Sequence, residues 1–261
     1  MDRDLAVERL RERLGTTWGP VAVVQETGST NADLAAAGRA GTATAGAVLV
    51  TELQVAGRGR QGRGWHAPPG RALTFSALVE PGVPAARWGW LPLLAGVALV
   101  DAVRAVADVP VRLKWPNDLL APDGRKLAGI LVERVDAALA VVGIGINVRQ
   151  SSVELPVESA TSLALVTGQP VDRGELLASV LGELATRLQT WRASGDLGAG
   201  LRSAYVERSA TIGTAVRVHL PGDELLDGTA VEVDVEGRLV VRPSEGGADR
   251  AVAAGDVVHV R

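Results

Sequence analysis

Apolar and polar residues repeat along this chain with two periods, and the balance between them changes near residue 214. Residues 3–14 set Leu5, Leu10 and Leu14 among alternating charges, which predicts a short amphipathic helix. Val21 to Val24 reads as a first strand. Ser29 or Thr30 then caps a predicted helix through Asn31 to Ala37, ended by Gly38. Ala47 to Thr51 and Leu73 to Val79 read as further strands. From about Trp88 to Ala107 the chain is apolar nearly all round, which predicts a central helix. Val111–Lys114, Leu119–Ala121, Lys126–Glu133 and Leu139–Ile146 are candidate strands, with a hairpin at Asp123-Gly124. Gly174 to Trp191 is helical by spacing: Leu176, Leu177, Val180, Leu181, Leu184, Leu188 and Trp191 share one face.

From Thr214 the pattern becomes short alternating strands: Val216/Val218/Leu220, Val231/Val233/Val235, Leu239/Val241 and Val257/Val258/Val260. Turns rich in Gly, Asp and Pro separate them. The two patterns predict an α+β fold, a mixed β-sheet with flanking helices over residues 1–210. A small C-terminal β-barrel follows over 211–261.

Composition narrows the function classes. The 261 residues are 47% hydrophobic and 22% charged, with no cysteine, which removes disulfides, thiolate metal sites and a cysteine nucleophile. The formal net charge of −3 gives no global attraction to nucleic acid. The N-terminus is charged throughout and lacks a signal-peptide core. The most apolar stretch, Trp88 to Val100, is shorter than a bilayer span. These features predict a cytoplasmic protein.

The most unusual segment is Gly57 to Trp65, GRGRQGRGW. Gly57, Gly59 and Gly62 satisfy a dinucleotide fingerprint, but Gly64, Pro68, Pro69 and Gly70 follow where that motif must open a helix. No phosphate-loop sequence of the G-x-x-x-x-G-K-S/T type occurs. Arg58, Arg60, Arg63 and Arg71 fall in a span with no acidic residue between Glu52 and Glu80. Glycines let backbone amides approach an anion, and guanidinium groups bind phosphate bidentately. The segment reads as a loop that orders around a polyphosphate or adenylate; a solvated basic loop is the plainer alternative.

Three further clusters are ambiguous singly. Lys114, Asn117 and Asp118 sit at the turn of LKWPNDLL, which is also good turn chemistry around a core Trp115. Lys126 opens the apolar strand KLAGILVE, where a lysine also simply snorkels to the surface. Gly143 and Gly145 in VVGIGINV permit close backbone approach, with Asn147 at the strand end, where a bulge would look the same.

Taken together, GST-N (Gly28 to Asn31), TELQVAGRGRQGRGW (Thr51 to Trp65), KWPND (Lys114 to Asp118), KLAGIL (Lys126 to Leu131) and GIGINV (Gly143 to Val148) closely resemble the catalytic domain of biotin protein ligases. The resemblance covers roughly residues 20 to 210 and extends to the family's C-terminal β domain. It implies a class II synthetase-like catalytic fold with an SH3-like barrel. It also implies formation of biotinyl-5′-AMP from biotin and ATP with Mg2+, then transfer of biotin to a lysine of the biotin carboxyl carrier domain of acyl-CoA carboxylases. No dedicated protein cage for the metal is expected.

Carried over by position, Ser29, Thr30, Asn31, Gln54, Gly57, Arg58, Gly59, Arg60, Lys126 and Gly129 are implied at biotin. Arg60, Arg63, Trp65, Lys114, Asn117, Asp118 and Asn147 are implied at ATP. Lys126, Arg60 and Lys114 are implied as the catalytic cations. His66, His219 and His259 receive no role. Because the strand before Ser29 begins near Val21, only a short helix fits ahead of it. A winged helix and sequence-specific DNA binding are therefore not expected. The rivals are a lipoate or octanoate ligase, disfavoured by the arginine loop and Gln54, and a regulatory binding module, disfavoured by the acidic balance.

Overall fold

The computed structural model describes residues 5, 7–15, 17–194, 199–220, 222, 224–253 and 255–260. Its helices are α1 (Val7–Leu14), α2 (Thr30–Arg39), α3 (Leu91–Ala107), α4 (Leu163–Thr167), α5 (Arg173–Ser194) and α6 (Ala199–Arg208). Seven strands form one mixed sheet: β1 (Val21–Thr27), β2 (Val48–Gln54), β3 (Ala72–Val79), β4 (Arg112–Lys114), β5 (Asp118–Leu120), β6 (Lys126–Arg134) and β7 (Ala140–Asn147). The spatial order is β1-β2-β3-β7-β6-β5-β4. Only β1 and β2 run parallel, because α2 connects them; the other neighbours are antiparallel. The sheet is therefore mixed with flanking helices, as the pattern predicts.

Period-two alternation assigns the faces. β3 turns Leu73, Phe75, Ala77 and Val79 into the core with α3 and α5, and Leu78 toward Leu34 and Ala35 of α2. Each fully buried Leu, Val or Phe side chain contributes about 1.5–3 kcal/mol. The stretch Ala85–Ala107 has the length and apolarity to cross a membrane, but most of its apolar part is buried within the protein, where α3 packs on α5. Here it is a core helix. The first predicted helix is observed from Val7; residues 3, 4 and 6 lie outside the described residues.

Expected boundaries shift by a few residues, most informatively at the end of α2 and near Val235. Gly38 does not end α2, which continues to Arg39. A Cβ there would lie 3.3 Å from Leu78 and Val135, so the missing side chain lets the helix sit low on the sheet. The second sheet is antiparallel: β8 (Ala215–His219), β9 (Leu225–Val233), β10 (Leu239–Pro243), β11 (Arg250–Val252) and β12 (Asp256–His259), ordered β11-β10-β9-β8-β12. Here β9 ends at Val233, short of Val235. Asp234 Oδ1 accepts the N–H groups of Glu236 and Arg238 and folds the chain into a turn, leaving Val235 exposed. That turn seats beside α3 and the β4–β5 turn: Trp90 donates to Asp234 O at 2.9 Å and Trp115 to Gly237 O at 3.3 Å. The elements α4, α6 and β11 carry no periodic pattern long enough to mark them.

Candidate active site

On the α2 face the central strands lose their side chains. Gly129 of β6 pairs with Gly145 of β7, and Gly143 lies two residues away on the same face. A Cβ at Gly143 would stand 2.0 Å from Asn31 Oδ1, and one at Gly145 would stand 2.4 Å from the Trp65 indole. The glycines thus admit side chains onto the sheet, not only an approaching backbone. Above them opens a cavity with about 690 Å³ of empty space, partly continuous with solvent.

One end of the cavity is a network of hydroxyls and amides at the start of α2, backed by the Glu133 carboxylate. Ser29 caps the helix, accepting from Ala32 N–H at 3.5 Å. Gln54 Oε1 accepts from Thr30 N–H at 2.8 Å and lies 3.0 Å from the Thr30 hydroxyl. Ser76 Oγ stands 2.8 Å from Thr30 Oγ1 and 2.6 Å from Asn31 Oδ1. Asn31 Nδ2 donates to Leu131 O at 3.1 Å and Glu133 Oε2 at 2.8 Å. Ser76 and Glu133 escape the sequence reading. Thr74 and Ser76, two hydroxyls on one face of the apolar run LTFSALV, are a signal for Ser76; nothing local marks Glu133.

The other end is cationic. The Gly57–Trp65 loop forms a narrow hairpin: Trp65 N–H donates to Gly57 O at 3.0 Å and Gly59 N–H to Arg63 O at 2.6 Å. Gln61 (φ 56°) and Gly62 (φ 73°) make its tip. Arg58, Gly59, Arg60, Arg63 and Trp65 all line the cavity, with Asn117, Lys126 and Gly129 across from them. Arg60 Nη1 donates to Asn117 Oδ1 at 3.3 Å, and Asn117 Nδ2 to Ile130 O at 2.9 Å. Burial lowers the Arg60 pKa below its ordinary value; Asp256 opposes this, Arg63 reinforces it and Asp118 opposes it. The group stays a cation all the same. Arg63 also reaches the second sheet, 2.8 Å from Asp256. Lys126 Nζ curls over Gly129 and lies 2.6 Å from Asp118 Oδ1.

Four expected residues do not line the cavity: Gly57, Lys114, Asn147, and Asp118, which meets it only through its ion pair with Lys126. Gly57 lies behind the cavity, where a Cβ would meet Trp65 O at 2.2 Å. Lys114 faces Asp118 across the β4–β5 ladder but does not line the cavity. Asn147 is buried with its amide engaged at both ends, donating to Thr161 O at 3.0 Å and accepting from Gln150 at 2.8 Å. This geometry gives Asn147 a bracing part in the loop after β7. Among the described residues no three His, Asp or Glu side chains gather as a metal cage.

The profile of the Biotin/lipoate A/B protein ligase family matches residues 24–148. The chain is 44% identical over 259 residues to the biotin–[acetyl-CoA-carboxylase] ligase of Mycobacterium tuberculosis, covering 97% of this chain and 94% of that protein. It is 36% identical over 245 residues to the bifunctional ligase/repressor BirA of Escherichia coli, covering 88% of this chain and 73% of that one. A solved biotin protein ligase from Aquifex aeolicus, in complex with biotin and ATP, matches with a TM-score of 0.77 at 28% identity, over 94% of this chain and 100% of that one. With a polar pocket and a cationic loop meeting over one glycine floor, and with these likenesses, the chain belongs to the biotin protein ligases of the biotin/lipoate A/B protein ligase family.

Proposed function

We propose that the chain activates biotin with ATP and transfers it to a lysine of the biotin carboxyl carrier domain of an acyl-CoA carboxylase. The observation that carries this reading is the convergence of Arg58, Arg60, Arg63 and Lys126 on a cavity whose far end gathers the hydroxyls and amides of Ser29, Thr30, Asn31 and Gln54. A neutral ureido ring suits the Ser29–Thr30–Gln54 end, and the carboxylate and phosphates suit the cationic end. Bringing two anions together needs positioning and positive charge above all.

In the first step a biotin carboxylate oxygen bonds to the α-phosphorus of ATP, and pyrophosphate leaves with its bridging oxygen. Lys126 stabilises the charge on the transferring phosphoryl oxygens, while Arg60, held by Asn117, fixes their direction. In the second step the acceptor amine bonds to the acyl carbon, AMP leaves, and the amine gives up its proton. Asp118 is a hard oxygen donor beside Lys126, which fits Mg2+ held chiefly by phosphates and water. When bound, the ion would neutralise phosphate charge. We further assign residues 1–210 to the catalytic unit and 211–261 to an SH3-like barrel, and ATP use fits a cytoplasmic setting.

The test is biotin-dependent exchange of labelled pyrophosphate into ATP, with lipoate and octanoate as controls. Exchange with biotin alone is expected; a site built to pair a ureido group rejects an acyl chain lacking one. Absence of exchange in folded protein would overturn the reading.

A further inference from the structure

The Gly57–Trp65 loop belongs to a longer excursion that leaves the sheet after Gln54 and re-enters it at Ala72. One side chain from a distant helix holds both stems. Arg173, the first residue of α5, is fully buried. Its Nη1 donates to Glu52 Oε2 at 2.7 Å and to Ala72 O at 3.0 Å, and its Nη2 donates to Glu52 Oε1 at 3.1 Å. Glu52 stands on β2, two residues before Gln54, and its own carbonyl accepts Gly70 N–H at 3.2 Å from the returning stem. Neither Glu52 nor Arg173 lines the cavity.

The pair is enclosed, with side-chain exposures of 0% for Arg173 and 8% for Glu52. Burying two charges carries a desolvation penalty that their attraction only offsets when geometry is good, and apolar pairs of similar volume are often as stable. What the charged pair adds over an apolar one is direction, since a planar guanidinium meets a carboxylate in one plane through two bonds. We propose that Glu52 and Arg173 are positioning residues that lock the two stems of the arginine loop, so that Gln54 and Arg58–Arg63 face one another across the bound substrates. This rests on the adenylation reading above.

The experiment uses the full chain with Glu52→Leu and Arg173→Met combined, which replaces the pair with apolar side chains. The expected result is a melting temperature at or near that of the parent, a KM for biotin raised about tenfold, and biotinyl-5′-AMP escaping into solution. A misplaced loop has losses of about that size or more available to it. Arg173→Lys keeps the charge without the fork and should move the same readouts in the same direction; it is the deciding variant if the double one does not fold. A folded variant with the parental KM and full retention of the intermediate would overturn the proposal. Parental protein assayed alongside separates the two ideas: without biotin-dependent pyrophosphate exchange there, the ligase reading itself fails.

Discussion

On the face of the large sheet that meets α3 and α5, strands β3, β6 and β7 present Leu73, Phe75, Ile130, Val142 and Ile146, all buried in one apolar cluster. On the opposite face the alternate residues nearest the cavity are Thr74, Ser76, Gly129, Gly143 and Gly145, while Leu78 and Val141 farther along pack against α2. Backbone and pairing are common to both. One face is filled to the density that stabilises the fold; the other is emptied, so that α2 and the arginine loop can enter over it. The comparison teaches that the pleat lets stability and chemistry be set independently, residue by residue, and single substitutions on each face test that independence.

The largest effect is expected at Lys126. Lys126→Ala should slow single-turnover adenylation at least on the order of 10²-fold, the scale of removing one transition-state stabiliser. Its side chain is 38% exposed, so thermal stability should hardly change. An unaltered adenylation rate would remove Lys126 from the chemistry.

The opposite face should behave in the opposite way. Ile146 is fully buried in the α3–α5 core. Ile146→Ala should lose about 2–5 kcal/mol of folding stability in denaturant titrations through lost burial and the cavity left behind. Adenylation per folded molecule should stay close to parental. A large fall in KM-normalised activity at unchanged stability would mean that the two faces are coupled through the strands.

Much of this division is legible in the sequence, and what is not has a physical cause. Alternation places Leu73–Val79 and Leu139–Ile146 as strands, and all-round apolarity marks the α3 region as central. Ser29, Gln54, Arg60 and Lys126 are found because their motifs match a known catalytic set, and the structure gathers them at one cavity. Glu52 and Arg173 are 121 residues apart, and nothing near either one announces the other. The same blindness applies at Asn147: its motif implies a nucleotide contact, whereas the partners its amide meets, Gln150 and Thr161, lie on a segment with no pattern of its own. The rule for strand ends failed at Val235 because an aspartate's hydrogen bonds, not apolar spacing, decide where β9 stops.

Gly145 sharpens the comparison at the glycine floor. Gly145→Ala puts a methyl group where the Trp65 ring now lies, 2.4 Å away. The indole must shift, and with it the loop wall of the cavity. A KM for ATP raised about tenfold is expected from a displacement of this kind, short of the larger losses such shifts can bring. Folding stability should change by less than about 1 kcal/mol, the scale of a Gly–Ala backbone difference. Equal kinetics with a large stability loss would show the floor to be core after all.

The smallest effect tests whether the second sheet stands apart from this division. His259 on β12 meets Thr211 Oγ1 at 3.1 Å, and that hydroxyl oxygen accepts the Trp115 N–H at 3.0 Å, within the KWPND turn. Burial lowers the His259 pKa below its ordinary value, and the charge of Lys114 lowers it further. A histidine held below its unfolded pKa adds stability that is complete above that value, about 6.5, and is lost as pH falls through the folded one. The parent should therefore lose stability on acidification below about pH 6.5 more steeply than His259→Gln, which cannot titrate. The difference should be modest, because the ring is only half-buried and water screens it. Lys114 lies at the first sheet's edge, so a measurable slope would mean that the charge of its KWPND turn is felt across the seam. Superimposable pH profiles would mean that the Lys114 charge is not felt at β12, which leaves the Arg63–Asp256 pair and the tryptophan bonds to the Asp234–Gly237 turn among the links between the two sheets.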